Sequence, residues 1–311
     1  MPDDGGGGFA AQYTRVLVLR LLVTGANGFA GRHFVTSARA CGHEVTALQA
    51  DLKDRDALRR QVAQVAPEAV VHLAAISFVG HADASAFYDV NVIGTLNLLD
   101  ALAALAQPPQ SILLASSANV YGNYRGQSPI TEAQPPAPVN HYAMSKLAME
   151  YMAKTYLDRL PLFFVRPFNY AGPGQAESFV MPKLVAHFAR RAEAIELGNI
   201  AVEREFNDVR FVCEAYLRLL EKARPGEVYN VCSGKPVTLK SVIELLSRIT
   251  GHHLQIKANP AFMRDNEIHR LCGSTAKLLG VTGEIPLPAL PDTLRWMLEH
   301  AASARSRCVS L

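Results

Sequence analysis

Short apolar runs alternate along this chain with longer stretches of helical period. Residues 16–24, 44–48, 69–73, 111–115, 161–165 and 228–232 are mostly apolar throughout, the pattern of strands covered on both faces. Between them, the spacing of apolar positions predicts helices over 29–41, 86–105, 141–160 and 215–222. Strand-then-helix repetition builds a parallel sheet with right-handed crossovers. The expected fold class is therefore α/β, a doubly wound parallel sheet of the Rossmann type. Sites on such sheets lie beyond the carboxyl ends of the strands. The rhythm fails over 172–205 and 236–301, which are rich in Pro and Gly. These segments predict a smaller α+β lobe, interleaved with a sheet domain of 16–171 and 206–235 because 228–232 still reads as a sheet strand. Residues 1–15, acidic and glycine-rich, and 302–311 are expected to form an unstructured lead and tail.

Composition narrows the class. With 49% apolar and 19% charged residues, the 311-residue chain can bury a sizeable core, so wholesale disorder is excluded. A net charge of +3 is too small to make nucleic acid or an anionic membrane the expected partner. Arg20 breaks the best apolar run, so no membrane span is predicted. Five scattered cysteines without a CxxC pair read as reduced thiols of a cytoplasmic protein. No spacing of ligand types predicts a metal site, and the neighbours His252 and His253 do not face one ligand on a helix.

Candidate chemistry begins at Thr24-Gly25-Ala26-Asn27-Gly28-Phe29-Ala30-Gly31, between the first strand and the first helix. Three glycines at this spacing allow a sharp turn, close approach to a pyrophosphate and tight helix–strand packing, with helix N–H groups meeting the phosphates. Gly25, Asn27, Gly28, Phe29, Ala30, Gly31 and Arg32 are the candidate contacts. An NAD site usually carries an acid about 20 residues further on, at the ribose 2′-hydroxyl. Here the second strand ends at the uncharged Gln49, and Arg32 is near enough in sequence to neutralise a 2′-phosphate, so NADP(H) is the expected cofactor, with NAD(H) use compatible. Asp51 and Leu52 follow at once, as adenine contacts, and leave little room for a third strand on that edge.

A second constellation follows the fourth strand: Ser116-Ser117-Ala118-Asn119-Val120-Tyr121-Gly122, then Tyr142 and Lys146 some twenty residues later. The i, i+4 spacing puts phenol and ammonium on one helix face. A phenol with pKa near 10 is a poor proton-transfer group, and a neighbouring ammonium is expected to lower it. The glycine turn, the Ser-Ser strand end and the Tyr–Lys pair, in that order, resemble the extended short-chain dehydrogenase/reductases that act on nucleotide sugars. The likeness runs from about residue 20 to 299 and includes Leu73-Ala74-Ala75, the Asn91-to-Thr95 run, the Arg166-to-Asn169 run and the Tyr229-to-Gly234 run. The resemblance implies that Ser117, Tyr142 and Lys146 are the catalytic triad, that Leu73, Ala74 and Ala75 line the cofactor, that Lys146 also holds the nicotinamide ribose, and that the chain forms a homodimer.

Within that family the position of Asn119 carries a glutamate in similar GDP-mannose 4,6-dehydratases and a cysteine in similar GDP-fucose synthases. An amide has no useful proton to exchange, which disfavours both chemistries. What remains is a plain ketoreduction or an NAD-dependent 4-epimerisation; a binding module without turnover is the third alternative. The likeness is strongest to the GDP-6-deoxy-4-keto-mannose reductases, implying a GDP-linked 4-keto-6-deoxy sugar reduced to GDP-D-rhamnose. The stretches 172–175, 198–199 and 202–210 look like that GDP-sugar branch but are shared with the dehydratases, so they mark the nucleotide more than the reaction. Arg204 and Arg264 are the expected diphosphate contacts, because a planar fork reaches two phosphate oxygens. Glu267 is assigned to ribose hydroxyls, Asn169 and Lys183 to the diphosphate region, and Ser77 and Phe78, with Ser117, to the sugar pocket. Tyr121 and Tyr170 are read as packing.

Overall fold

The computed structural model describes residues 18–262 and 268–309, with the side chains of 304–309 left aside. Five strands, β1 (Arg20–Thr24), β2 (Glu44–Ala47), β3 (Ala69–His72), β4 (Ser111–Ala115) and β5 (Leu162–Pro167), join a sixth, Val228–Val231, in one sheet. Its order from one edge is β2-β1-β3-β4-β5 and then Val228–Val231, with every pair parallel. The expected doubly wound sheet is present, and β2 is its edge: no further strand lies beyond it among the described residues.

In chain order the helices are α1 (Phe29–Ala40), α2 (Arg55–Val65), α3 (Ala84–Tyr88), α4 (Thr95–Ala103), α5 (His141–Lys154), α6 (Val180–Ala189), α7 (Val209–Lys222), α8 (Leu239–Thr250), α9 (Ala276–Thr282) and α10 (Leu290–Val309). On one face of the sheet, Phe34 of α1 and Val212 and Tyr216 of α7 pack with Leu21, Val23 and Val71. On the other, Leu58 and Val62 of α2, Leu98 of α4 and Met149 of α5 pack with Leu22, Val70 and Leu114. Successive residues of one strand thus feed opposite cores, which is why the strands are apolar throughout.

Four expectations are corrected. The segment 86–105 is not one helix: α3 passes into a π-turn at Asp89–Gly94 before α4 resumes. The extra residue per turn rotates Asn91 into the interior, where it is 1% exposed. The helix expected from 215 begins at Val209, because Asp208 caps it by accepting from the Arg210 N–H; its early β-branched and aromatic residues hide the period. The helix expected over 141–160 stops at Lys154. The tail expected from 302 is instead helical, since α10 runs on to Val309. The lead of 1–15 lies outside the described residues.

A third core gathers α6, α8 and α10 around Met181, Leu184, Val242, Leu246 and Leu294. Beside it run Ala194–Leu197 paired with Gln255–Ala258, and Glu203–Arg204 between Val237–Thr238 and Arg270–Leu271. Glu205, fully buried, ties these strands to the sheet domain. One carboxylate oxygen accepts from the Ser233 N–H at 2.6 Å and the other from the Gly273 N–H at 2.7 Å.

Candidate active site

The turn from β1 into α1 is shaped by what its glycines exclude. Gly25 has φ +66°, and a Cβ there would lie 2.7 Å from the Ala74 nitrogen; a Cβ on Gly31 would lie 2.0 Å from the Gly25 carbonyl oxygen. Backbone therefore packs on backbone, and α1 starts at Gly28 with no side-chain cap and no acid in its first turn. These open N–H groups, at the positive end of the helix dipole, fit the diphosphate of a dinucleotide. Phe29 stacks on Tyr170 at 5.8 Å, closing the side toward the second lobe.

Behind this turn lies a buried relay that sequence reasoning missed. Thr95 Oγ1 donates to the Asn91 carbonyl at 2.8 Å, so it accepts from His72 Nε2–H at 2.8 Å. His72 Nδ1 then accepts from Thr24 Oγ1 at 2.7 Å, and Thr24 accepts from the Ala74 N–H at 3.1 Å. Asn91 extends the chain: its Oδ1 accepts from the Ile76 N–H, and its Nδ2 donates to Ser145 Oγ, which donates to the Tyr142 carbonyl. One network thus positions both the loop of Leu73, Ala74 and Ala75 and the helix that bears Tyr142. Burial, then the charge of Lys146, pushes the His72 pKa down to about 3, so the ring is neutral.

At the end of β2, Gln49 is exposed, and Gln61 Oε1 accepts from the N–H groups of Gln49 and Ala50 at 3.0 and 2.9 Å. Asp51 is exposed and accepts from the Lys53 N–H, while Leu52 is buried beneath Gly94. Arg32 has a task that its sequence position did not reveal. Its guanidinium donates to the Asn27 carbonyl at 2.6 Å and the Gly174 carbonyl at 3.0 Å, and His33 Nε2 donates to the Pro173 carbonyl at 2.9 Å.

Ser117, Tyr142 and Lys146 come together at the carboxyl end of β4, and all three are buried. Ser117 caps the short 3-10 turn Ala118–Tyr121, accepting from the Asn119 N–H at 3.2 Å and Asn119 Nδ2 at 3.3 Å. With its lone pairs so occupied, the Ser117 hydroxyl keeps its proton to donate, and it stands close enough to the Tyr142 phenol to pull that pKa down. Asn140 caps α5 by accepting from the Ala143 N–H, fixing the start of the helix one residue before Tyr142.

The expected acidification of Tyr142 by Lys146 is not what the structure shows. Burial dominates and raises the phenol pKa, the Ser117 hydrogen bond is what opposes it, and Lys146 Nζ donates instead to the Ala115 carbonyl at 2.7 Å. Lys146 itself falls to about 8 through burial, against the pull of Glu150. Glu150 binds Arg166 at 2.6 and 2.9 Å and accepts from Ser116 Oγ at 2.5 Å. Glu150 was not singled out from sequence, although it follows Lys146 by one helical turn, and Arg166 entered only as the start of the Arg166-to-Asn169 run.

The substrate residues are less gathered. Ser77 is exposed, and Phe78 meets Phe179 edge-on at 5.8 Å, between the loops after β3 and before α6. Asn169 is exposed, with its carbonyl accepting from the Asn207 N–H. Lys183 donates to the Glu196 carbonyl at 2.8 Å and sits 4.3 Å from the centre of the Phe262 ring. Arg204 donates to the carbonyls of Glu203 and Ile268. Arg264 and Glu267 lie outside the described residues. Tyr121 is 1% exposed and packs on Phe168, so its reading as packing stands. Surface clefts of about 320 Å³ beside β2 and 390 Å³ between α6, α8 and α10 touch none of Ser117, Tyr142 and Lys146 and hold none of this chemistry.

Comparison with known proteins shows the family. The family described as "NAD dependent epimerase/dehydratase family" matches residues 21–232. The GDP-6-deoxy-D-mannose reductase of Pseudomonas aeruginosa is 39% identical over 294 residues, covering 90% of this chain and 96% of that protein. The GDP-6-deoxy-D-talose 4-dehydrogenase of Aggregatibacter actinomycetemcomitans is 35% identical over 271 residues, covering 85% and 92%. The solved structure of RMD from Pseudomonas aeruginosa complexed with NADPH superposes with a TM-score of 0.86 at 37% identity, covering 92% of this chain and 100% of that one.

Proposed function

This chain belongs to the NAD dependent epimerase/dehydratase family, and from that premise we propose that it reduces the C4 keto group of GDP-4-keto-6-deoxy-D-mannose to give GDP-D-rhamnose, with NADPH as cofactor. The observation that carries this reading is the state of Tyr142. It stands buried beside Ser117 and Lys146 at the carboxyl end of β4, and burial raises its pKa, so the phenol rests protonated. A ketone becoming an alcohol needs a proton at the oxygen as well as a hydride at carbon. When bound, NADPH supplies the hydride. Tyr142 gives its proton to the developing alkoxide, and Ser117 is the second donor to that oxygen. Lys146 holds the ribose hydroxyls and returns positive charge to the phenolate that Tyr142 becomes. Gly28, Phe29, Ala30 and Gly31 hold the diphosphate, Gln49 leaves space and no negative charge at a 2′-phosphate, and Arg32 flanks that site. Ser77, Phe78, Asn169, Lys183, Arg204, Arg264 and Glu267 bind the nucleotide sugar, largely from the second lobe.

The similarity to reductases and dehydrogenases of GDP-6-deoxy sugars supports the substrate class. It also favours one second reading, the same reduction on the opposite face of the sugar to give the 6-deoxytalose product. A 4-epimerase would use the same phenol and is told apart by its cofactor, which it regenerates, while Asn119 replaces the acid that a dehydratase needs. The test supplies GDP-4-keto-6-deoxy-D-mannose and NADPH, follows loss of nicotinamide absorbance, and identifies the C4 configuration by NMR. No NADPH consumption, or protein purified with NAD that interconverts sugars without it, refutes the reading.

We further propose a homodimer, with a second copy covering the exposed Ile93, Met144 and Tyr151 on the α4–α5 side. Sedimentation of the wild type and a Tyr151→Glu variant tests it, and a wild-type monomer overturns it. A reducing cytoplasmic setting suits the four described cysteines, all free thiols. No described helix is long and apolar enough to cross a membrane.

A further inference from the structure

We propose that Glu150 and Arg166 form a charge couple that sets the protonation of Lys146, with Glu150 holding the ammonium charged and Arg166 limiting how strongly it does so. Both are positioning residues, and the inference rests on the reading above in which Lys146 acts as an ammonium.

The geometry is specific. Glu150 lies one turn after Lys146 on the same helix, 1% exposed, and its carboxylate takes the Arg166 fork plus the Ser116 hydroxyl. A buried ion pair of this kind is a poor stabilising device, since apolar residues of the same volume often do as well. This one is also incompletely satisfied, because Arg166 Nη1 is buried without a hydrogen-bond partner. A couple kept on such terms against a functional lysine points to a role in the charge of that lysine. The other ionisable groups around Lys146 do not supply it. His72 of β3 is neutral, Tyr142 of α5 is protonated, and Tyr121 of the 3-10 turn has its phenol pushed up to about 12 with the Arg166 guanidinium 4.8 Å from its ring centre. Glu150 is the carboxylate that opposes the burial of Lys146, whose pKa of about 8 sits close to neutrality.

The couple makes two opposite predictions. Glu150→Gln removes the negative charge and leaves Arg166 unopposed, so Lys146 should lose its proton about one pH unit or more lower. Arg166→Gln frees the carboxylate for Lys146, so its titration should move up by a similar amount. A purely structural pair predicts no such opposition. The measurement is NMR titration of the full chain with 13C at lysine Cε, the Lys146 signal being assigned with Lys146→Met, alongside the alkaline limb of kcat/KM against pH for the same variants. Shifts of opposite sign in both readouts support the proposal. Shifts of the same sign, or none, overturn it. Should Glu150→Gln not fold, the Glu150→Gln/Arg166→Gln double variant, which leaves neither charge stranded, replaces it and must still titrate below wild type. If the NMR shifts appear but wild type does not reduce the keto sugar, the functional reading fails while the control of Lys146 stands. If the signal moves and the kinetic limb does not, the link to catalysis is refuted.

Discussion

Replacing Ser117 by alanine separates catalysis from architecture more cleanly than any other change at the site. The side chain is 5% exposed, and its oxygen takes two hydrogen bonds from Asn119, which leaves its one proton to be donated to the substrate oxygen. Removing it leaves the Asn119 N–H without its partner, a stability cost of about 1 kcal/mol, since Asn119 is only half-buried and water compensates in part. For a chain of this length that lowers Tm by about 2 °C. The reaction loses more. Ser117 is one of two donors to the developing alkoxide, and losing one such donor costs about 3 kcal/mol, roughly 100-fold in kcat. Tyr142 also loses the neighbouring hydroxyl that opposes the effect of its burial, so its pKa rises further and it releases its proton less readily. The loss should fall on kcat with KM for the sugar little changed, because the interaction strengthens as charge develops. Stopped-time assays of NADPH oxidation, with NADPH binding by fluorescence and Tm as controls, measure all three. A kcat within about threefold of wild type, or a loss carried wholly by KM, refutes the assignment of Ser117.

Tyr142→Phe removes the proton as well as a donor and should cost kcat more than Ser117→Ala, about 10³-fold or beyond, while leaving NADPH affinity intact; near-normal turnover rejects its role. Gln49→Asp places a carboxylate at the end of β2, where it repels a 2′-phosphate and accepts from ribose hydroxyls, so the kcat/KM ratio of NADPH to NADH should fall at least about tenfold; an unchanged ratio shows that this strand end does not meet the cofactor. His72 gives the fold an acid limit. Its folded pKa of about 3 lies below the ordinary 6.5, so the unfolded chain takes up the proton first. Stability is full above about pH 6.5 and is lost as pH falls toward about 3, by about 1.4 kcal/mol per pH unit at the steepest. Urea unfolding at about pH 7, 6 and 5 should show this slope, and His72→Gln should flatten it. An unaltered slope in that variant places the acid sensitivity elsewhere.

Much of the fold was legible because the central strands feed both faces and are apolar throughout, whereas the edge strand β2 alternates, with Glu44 and Thr46 exposed. The run 86–105 misled for the opposite reason: its apolar residues keep a helical rhythm straight through the π-turn, and nothing local betrays that Asn91 is turned inward. At the site, the i, i+4 spacing of Tyr142 and Lys146 correctly brought them to one buried face. It could not reveal what burial does to each, because the surroundings come from β3, β4 and β5. Arg32 illustrates the same limit. Its partner Gly174 is 142 positions away, so the link that its guanidinium makes to that carbonyl has no signal beside the glycine turn. Asn119 was informative as an absence of acid, while its grip on Ser117 emerged only with the turn that it helps form.

The paired grip of Arg32 and His33 on Pro173 and Gly174 has an architectural consequence. The same turn of α1 that follows the glycine turn also latches the strand exit leading into the second lobe, so the two halves are clasped here as well as at Glu205. Anyone grafting a lobe from a relative to change the accepted hexose would need to bring this proline and glycine with it, or the dinucleotide end would come loose from the graft.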